Sequence, residues 1–376
     1  MSWKIPLFKI YWDDFDIENV SKSIKSGAYW AEGPVIQEFE SLIADYIGAK
    51  HCVTFNSGTS AQHAALHAYG IKEGDEVIVP SFTFISTANS ALFVGAKPIF
   101  ADIEEKTFGL DPDSVVENIS SKTRVIMPVH YAGCPCKIRE LREIADDYNL
   151  VLIEDAAEAF GAQINGKKVG AFGDASMLSF CQNKVITTGE GGALVTDSTE
   201  VYEKLKLFRS HGRADNLQYF SSTQNADYVT LGYNFRMSSL TASLGVSQIR
   251  KVVEIIERRR ERSLYFTSKL KLEVGDNVHI PEVPNSYFHV YQLYTILVNN
   301  RDKLKDYLAS KGIMTKVYFS PAHLTYFYCK ILGYECKLPI TEKISHNVLT
   351  LPMYPSLTFD DIDCIVKEIK NFYEEK

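Results

Sequence analysis

The chain has 376 residues, too many for one small core and enough for a large domain with a smaller companion. Hydrophobic residues make up 45% and charged residues 23%, the balance of an ordinary soluble globular protein. A net charge of −7 with a pI near 5.8 removes nucleic acid as a bulk electrostatic partner and leaves an anionic small ligand open, because local groups decide that.

The seven cysteines are scattered, with no Cys-x-x-Cys; Cys134 and Cys136 flank one proline, too tightly for a usual zinc pair. Reduced thiols and no metal site are expected. Met1–Asp14 carries no apolar signal core, and no window reaches the length of a membrane span, so a cytoplasmic protein with no membrane contact is expected.

The chain opens with an extended arm and a short amphipathic segment, Met1–Ser26, then a turn-rich loop, Ser26–Pro34. Pro34 suits a first helical position, and apolar residues at Val35, Ile36, Phe39, Leu42, Ile43, Tyr46 and Ile47 keep a helical period that Gly48 stops. His51–Asn56 reads as a strand that runs into Ser57-Gly58-Thr59-Ser60 and a helix from Ala61 to Tyr69. A strand, a small-residue turn and a helix start aim backbone N–H groups and hydroxyls at one spot, which suits a phosphate; the same residues also serve as ordinary helix caps.

Glu76–Pro80 is the next strand, followed by Ser81-Phe82-Thr83-Phe84 and a helix over Ile85–Val94. Aromatic residues at a strand's carboxyl end either stack on a flat ring or join the core. Strands follow at Pro98–Ala101, Arg124–Val129 and Val151–Ile153, with helices at Asp111–Ile119 and Ile138–Tyr148, and the last of these strands delivers Glu154 and Asp155. Ala175–Phe180 and Ala193–Thr196 complete seven strands, and the polar turn between them holds Lys184. Val185 and Ile186 follow that lysine, and partial loss of water beside such a flank lowers a lysine pKa and yields an amine nucleophile.

A helix over Thr199–Phe208 leads through Leu231–Ser238 to one long helix, Ser239 to about Leu270. Its basic run Arg258-Arg259-Arg260 reads as a solvated face. From about Lys271 strands and helices alternate, and the reading is an α/β chain. Residues 1–250 form a large domain with a mostly parallel seven-stranded sheet flanked by helices. Residues 251–376 form a smaller α+β domain, with the long helix at the junction.

In such sheets ligands sit outside the carboxyl ends of the strands, where Ser57–Ser60, Phe84, Asp155 and Lys184 all fall. A nucleophilic lysine, a strand-end carboxylate, a phosphate cradle and a stacking aromatic together describe a site for pyridoxal 5′-phosphate (PLP, with its aminated form PMP). Lys184 is then the amine that bonds the cofactor's aldehyde and carries the proton, Asp155 keeps the ring nitrogen protonated, Ser57–Ser60 take the phosphate, and Phe84 covers one ring face.

Six motifs carry a closer likeness: Asn56-Ser57-Gly58-Thr59-Ser60, Pro80–Phe84, Glu154–Ala159, Ser179-Phe180-x-x-x-Lys184, Thr187–Gly192 and Gly232–Met237. With Tyr318–His323 they occur in order across nearly the whole chain, which resembles the DegT/StrS-type sugar aminotransferases of PLP fold type I. The resemblance implies that Gly58, Thr59, Ser60 and Ser179 hold the phosphate. It implies that Asn234, with Arg236 as the alternative, reaches the phosphate of a neighbouring subunit in a homodimer with shared active sites. Glu158 stands where relatives often carry His or Gln near the cofactor's phenolic oxygen. Tyr29, Glu32, Tyr318 and His323 fall in segments that border the sugar pocket.

The implied substrates are a nucleotide-diphospho keto sugar and glutamate. Glu158–Gly192 most resembles the corresponding segment of GDP-perosamine synthases, which aminate C4 of GDP-4-keto-6-deoxymannose. Another C3 or C4 keto-sugar or keto-inositol aminotransferase, and a PLP-binding regulator without turnover, are the alternatives. A nicotinamide enzyme lacks support, because no strand runs into Gly-x-Gly-x-x-Gly.

Overall fold

The computed structural model describes residues 3–214, 223, 225 and 227–374. Among the described residues, nine strands occupy the first two-thirds of the chain: β1 (His51–Phe55), β2 (Glu76–Pro80), β3 (Lys97–Ala101), β4 (Thr123–Ile126), β5 (Val151–Asp155), β6 (Gln163–Ile164), β7 (Lys167–Lys168), β8 (Ala175–Ser179) and β9 (Gly192–Thr196). Seven of them form one sheet in the order β1-β9-β8-β5-β4-β2-β3. Strands β3, β2, β4, β5 and β8 run parallel, and β9 is antiparallel to both β8 and β1. The reversal follows from the connection: residues 180–191 turn straight back without a crossover helix.

Alternate residues of these strands enter different cores, as a period of two requires. Val77, Val79, Val125, Ile153, Met177 and Leu194 pack with the helix Gly58–Ala68 on one side. Ile78, Ile126 and Leu152 pack beneath the helix Ile138–Asp147, while Leu178, Ala193 and Val195 pack with the helix Pro34–Ile47. The expected seven-stranded, mostly parallel sheet flanked by helices is therefore present.

A second sheet joins β10 (Val278–His279), β12 (Tyr294–Val298) and β13 (Val348–Leu351), and β11 (Tyr287–Phe288) pairs with β6. Its core takes Phe266, Leu270, Ile296, Leu349, Ile365 and Ile369, together with Ile5 from the start of the chain. Ile5 bonds along Gly312 and Met314, so the arm is laid against this C-terminal layer; Met1 and Ser2 lie outside the described residues.

The structure departs from the sequence reading at two places in this region. The long helix is two, Ser239–Arg250 and Val252–Glu273, because Lys251 leaves helical geometry at φ −103°, ψ 1°. The basic run is not a solvated face. Arg259 is buried, and its Nη1 donates to the carbonyls of Tyr291, Gln292 and Met353; Arg260 Nη1 donates to His289 O over the Phe288 ring. Arg258, the half-exposed member, pairs with Glu254 one turn back and lies over the Tyr11 ring.

Candidate active site

The carboxyl edge of the sheet frames a cavity of about 390 Å³, within the range that holds small ligands. Its wall includes Ser57, Gly58, Thr59, Phe84, Asp155, Glu158, Ser179 and Lys184 from the sheet side, with Lys316, Tyr318 and Phe319 from the C-terminal part. Eight residues proposed from the sequence as binding or catalytic groups thus meet on one surface with Tyr318.

Strand geometry explains why β5 delivers two carboxylates with different jobs. Glu154 and Asp155 are consecutive, so their side chains leave opposite faces. Glu154 faces the interior and is fully served: His130 Nε2 at 3.0 Å and the N–H groups of Gly170, Phe172 and Gly173 at 2.7–2.8 Å. Burial alone would raise its pKa, but His130 and these N–H groups hold it below the ordinary range. Asp155 faces the cavity. Its Oδ2 accepts from Gln62 Nε2 at 2.6 Å and Thr87 Oγ1 at 2.8 Å, and its Oδ1 accepts only from Ala157 N at 3.2 Å. Burial pushes the Asp155 pKa up, against weaker opposing pulls from Thr87, Ala157 and Lys184. A buried acid in this condition gains from a cation placed before it, and a protonated pyridine nitrogen is such a cation.

Lys184 lies on the turn between β8 and β9, with a side chain 14% exposed and Nζ 3.6 Å from Glu158 Oε1. Glu158 is held from behind by the Ala132 N–H at 2.8 Å, and burial raises its pKa despite the lysine. The cradle is built by register. Gly192 pairs with Phe55 on one side and Ser179 on the other, which sets the end of β1 beside the end of β8. A Cβ at Gly192 would stand 2.5 Å from Ser57 C, Ser57 O and Gly58 N, so only glycine lets the turn sit this close. The helix starting at Gly58 presents its first N–H groups there, beside the hydroxyls of Ser57, Thr59 and Ser179. The acid, the amine and the anion cradle fit PLP.

Two residues sit elsewhere than the sequence reading placed them. Ser60 lies behind the cradle, with its hydroxyl donating to Asn56 Oδ1 at 2.7 Å and its N–H to Ser57 Oγ at 3.1 Å; it completes the helix cap rather than facing the cavity. His323 is buried outside the cavity wall, with Nδ1 2.6 Å from Ser81 Oγ and Nε2 3.5 Å from Glu342; it ties the C-terminal segment to the loop that carries Phe84. Phe84 itself is 59% exposed. Four further residues also lie off this cavity. Glu32 and Arg236 line a second depression with Arg213, while Tyr29 and Asn234 are exposed.

Gln62 and Thr87 were missed by the sequence reading. The signal for Gln62 was there: a lone carboxamide in Ala61-Gln62-His63-Ala64-Ala65-Leu66, on a helix whose neighbours are apolar. Among the described residues no cluster of His, Cys, Asp and Glu could hold a metal, and no helix is long and apolar enough to cross a membrane.

The model of the DegT/DnrJ/EryC1/StrS aminotransferase family matches residues 11–370. The chain is 35% identical over 374 residues to a GDP-perosamine synthase of Vibrio cholerae, covering 98% of this chain and 99% of that one. Helicobacter pylori PseC, an aminotransferase of pseudoaminic acid biosynthesis, superposes with a TM-score of 0.92 at 27% identity, covering 99% of this chain and 100% of that one. NtdA of Bacillus subtilis, solved with the cofactor PMP bound, superposes with a TM-score of 0.87 at 28% identity, covering 96% of this chain and 82% of that one.

Proposed function

The chain belongs to the DegT/DnrJ/EryC1/StrS aminotransferase family, and we propose that within it the protein aminates C4 of GDP-4-keto-6-deoxymannose with glutamate as donor. That it is a PLP-dependent sugar aminotransferase, taking a nucleotide-linked keto sugar and an amino donor, follows from the family; the base, the sugar and the ring carbon are the proposed part. One observation carries the chemistry: Lys184 Nζ, the cavity-facing Asp155 and the Ser57–Thr59 cradle share one wall.

PLP held there supplies an aldehyde that trades its oxygen for an amine, and a ring that draws electrons from the reacting carbon. The chain's own groups do the rest. Lys184 would hold the cofactor, and its amine is the group placed to carry a proton at the reacting carbon. Asp155 sits as the anion that keeps a cationic ring nitrogen in place, with Gln62 and Thr87 holding its other oxygen. Glu158, buried, held by the Ala132 N–H and 3.6 Å from Lys184 Nζ, would lie near the phenolic oxygen. Ser57, Gly58, Thr59 and Ser179 take the phosphate, and Phe84 covers the ring.

The GDP sugar is favoured by the Vibrio cholerae relative, which covers both chains almost end to end. We take the active unit to be a homodimer. Asn234 is exposed and Arg236 lines the second depression with Glu32, so both lie off the cavity of their own chain, which supports a place for them beside the cavity of a second copy. Purified protein, PLP and glutamate tried against GDP-, UDP- and dTDP-linked keto sugars decide the substrate by mass spectrometry. Amination of the GDP sugar is the expected result, and turnover confined to UDP or dTDP sugars refutes it.

A further inference from the structure

Lys316 is the cavity's second lysine, and the reaction as read so far gives it no work. Its backbone is locked: the Lys316 N–H donates to Thr350 O at 3.1 Å, and the Lys316 carbonyl accepts from the Thr350 N–H at 2.8 Å. Its ammonium lies 4.7 Å from the centre of the Tyr318 ring, a cation resting on an aromatic face. No carboxylate lies within 4 Å of it among the described residues, whereas the cavity's other ammonium, Lys184, is already beside Glu158. The acids of the same wall, Asp155, Glu158 and Glu190, repel an incoming anion.

Both substrates of a sugar aminotransferase are anions. The donor carries carboxylates, and the sugar carries a diphosphate. The N–H groups at the helix start and the hydroxyls of Ser57, Thr59 and Ser179 are taken by the cofactor's phosphate. Lys316 is then the cation on the wall with its charge uncommitted. We propose that Lys316 Nζ is the anchor for an acid group of the substrate, a donor carboxylate or the sugar diphosphate. The backbone lock and the ring beneath the ammonium hold the charge at the cavity before anything binds, so less order is lost on binding. A charge-assisted contact at a water-reached position is worth roughly a tenfold change in affinity.

This inference rests on the aminotransferase reading, and the test separates the two. PLP-loaded wild type, Lys316→Met and Lys316→Arg are titrated calorimetrically with glutarate, a dicarboxylate without an amine, and with GDP and UDP. The expected result is about tenfold weaker binding of at least one probe class by Lys316→Met, with Lys316→Arg within about threefold of wild type. Loss confined to glutarate assigns the donor carboxylate; loss confined to the nucleotides assigns the diphosphate; loss of both assigns a shared anchor. Dissociation constants within twofold of wild type in every titration, or no binding of any probe by wild type, overturns the proposal. A wild type that converts no keto sugar overturns the aminotransferase reading instead.

Discussion

Gln62 Nε2 lies 2.6 Å from Asp155 Oδ2, so the acid that defines the site is gripped by a neutral amide from the neighbouring helix. Thr87 Oγ1 reaches the same oxygen at 2.8 Å, which leaves Oδ1 toward the cavity. Replacing Gln62 with Leu keeps the volume and removes one of two side-chain donors. The acid is then freer to rotate and harder to ionise. The variant should fold, turn over roughly tenfold more slowly, and lose about 1 kcal/mol of stability. An unchanged rate would mean that Thr87 alone positions Asp155.

Asp155 also sets a trade between stability and activity. Burial raises its pKa, so the folded chain binds its proton more tightly than the unfolded chain does. Stability therefore falls as pH climbs from the ordinary aspartate range through the raised value, and the full cost is present above it. Asp155→Asn removes that titration. The cofactor-free variant should melt no lower than wild type at pH 8, by about 1–3 °C higher, with the gap closing toward pH 4. The loaded variant should lose most activity, because an amide cannot hold the ring nitrogen protonated. Near-normal turnover would contradict the role given to Asp155.

Gly192→Ala tests the cradle. The new Cβ would stand 2.5 Å from Ser57 C and Gly58 N, and backbone atoms cannot swing aside as a side chain can. The expected cost is about 1–3 kcal/mol, with weaker PLP retention on dialysis. Full retention at wild-type stability would show that the turn has room that the register denies it.

The paired substitutions Arg259→Met and Arg258→Met separate the buried arginine from the half-exposed one. Loss of Arg259 strands the carbonyls of Tyr291, Gln292 and Met353 and should cost about 2 kcal/mol or more by denaturant unfolding. Loss of Arg258, a half-exposed side chain that pairs with Glu254 and lies over the Tyr11 ring, should change stability by less than about 0.5 kcal/mol. Equal effects would undo the assignment of Arg259 as the interior pin.

That arginine run shows where local reading stops. Consecutive helical residues point about 100° apart, so three in a row cannot share one face, and tertiary packing decides which turns inward. The break at Lys251 hid for a similar reason: apolar residues keep their period across it, as Val246, Ile249, Val252, Ile255 and Ile256 are all buried. The seven strands and the positions of Lys184 and Asp155 were legible because short apolar runs bounded by turn residues, and strand-end acids, are local signals. Ser60, His323, Gln62 and Thr87 depended on which neighbour a side chain meets across the sheet, and sequence spacing does not carry that. Lys316 stood outside every motif and became visible only when Tyr318 and Thr350 placed it on the wall.

The central claim is that Lys184 carries the cofactor. PLP-loaded protein treated with borohydride, digested and mapped by mass spectrometry should bear the reduced pyridoxyl group on the peptide containing Lys184, and Lys184→Ala should bear none. The group found on another lysine, Lys316 included, or wild-type turnover by Lys184→Ala, would contradict the account.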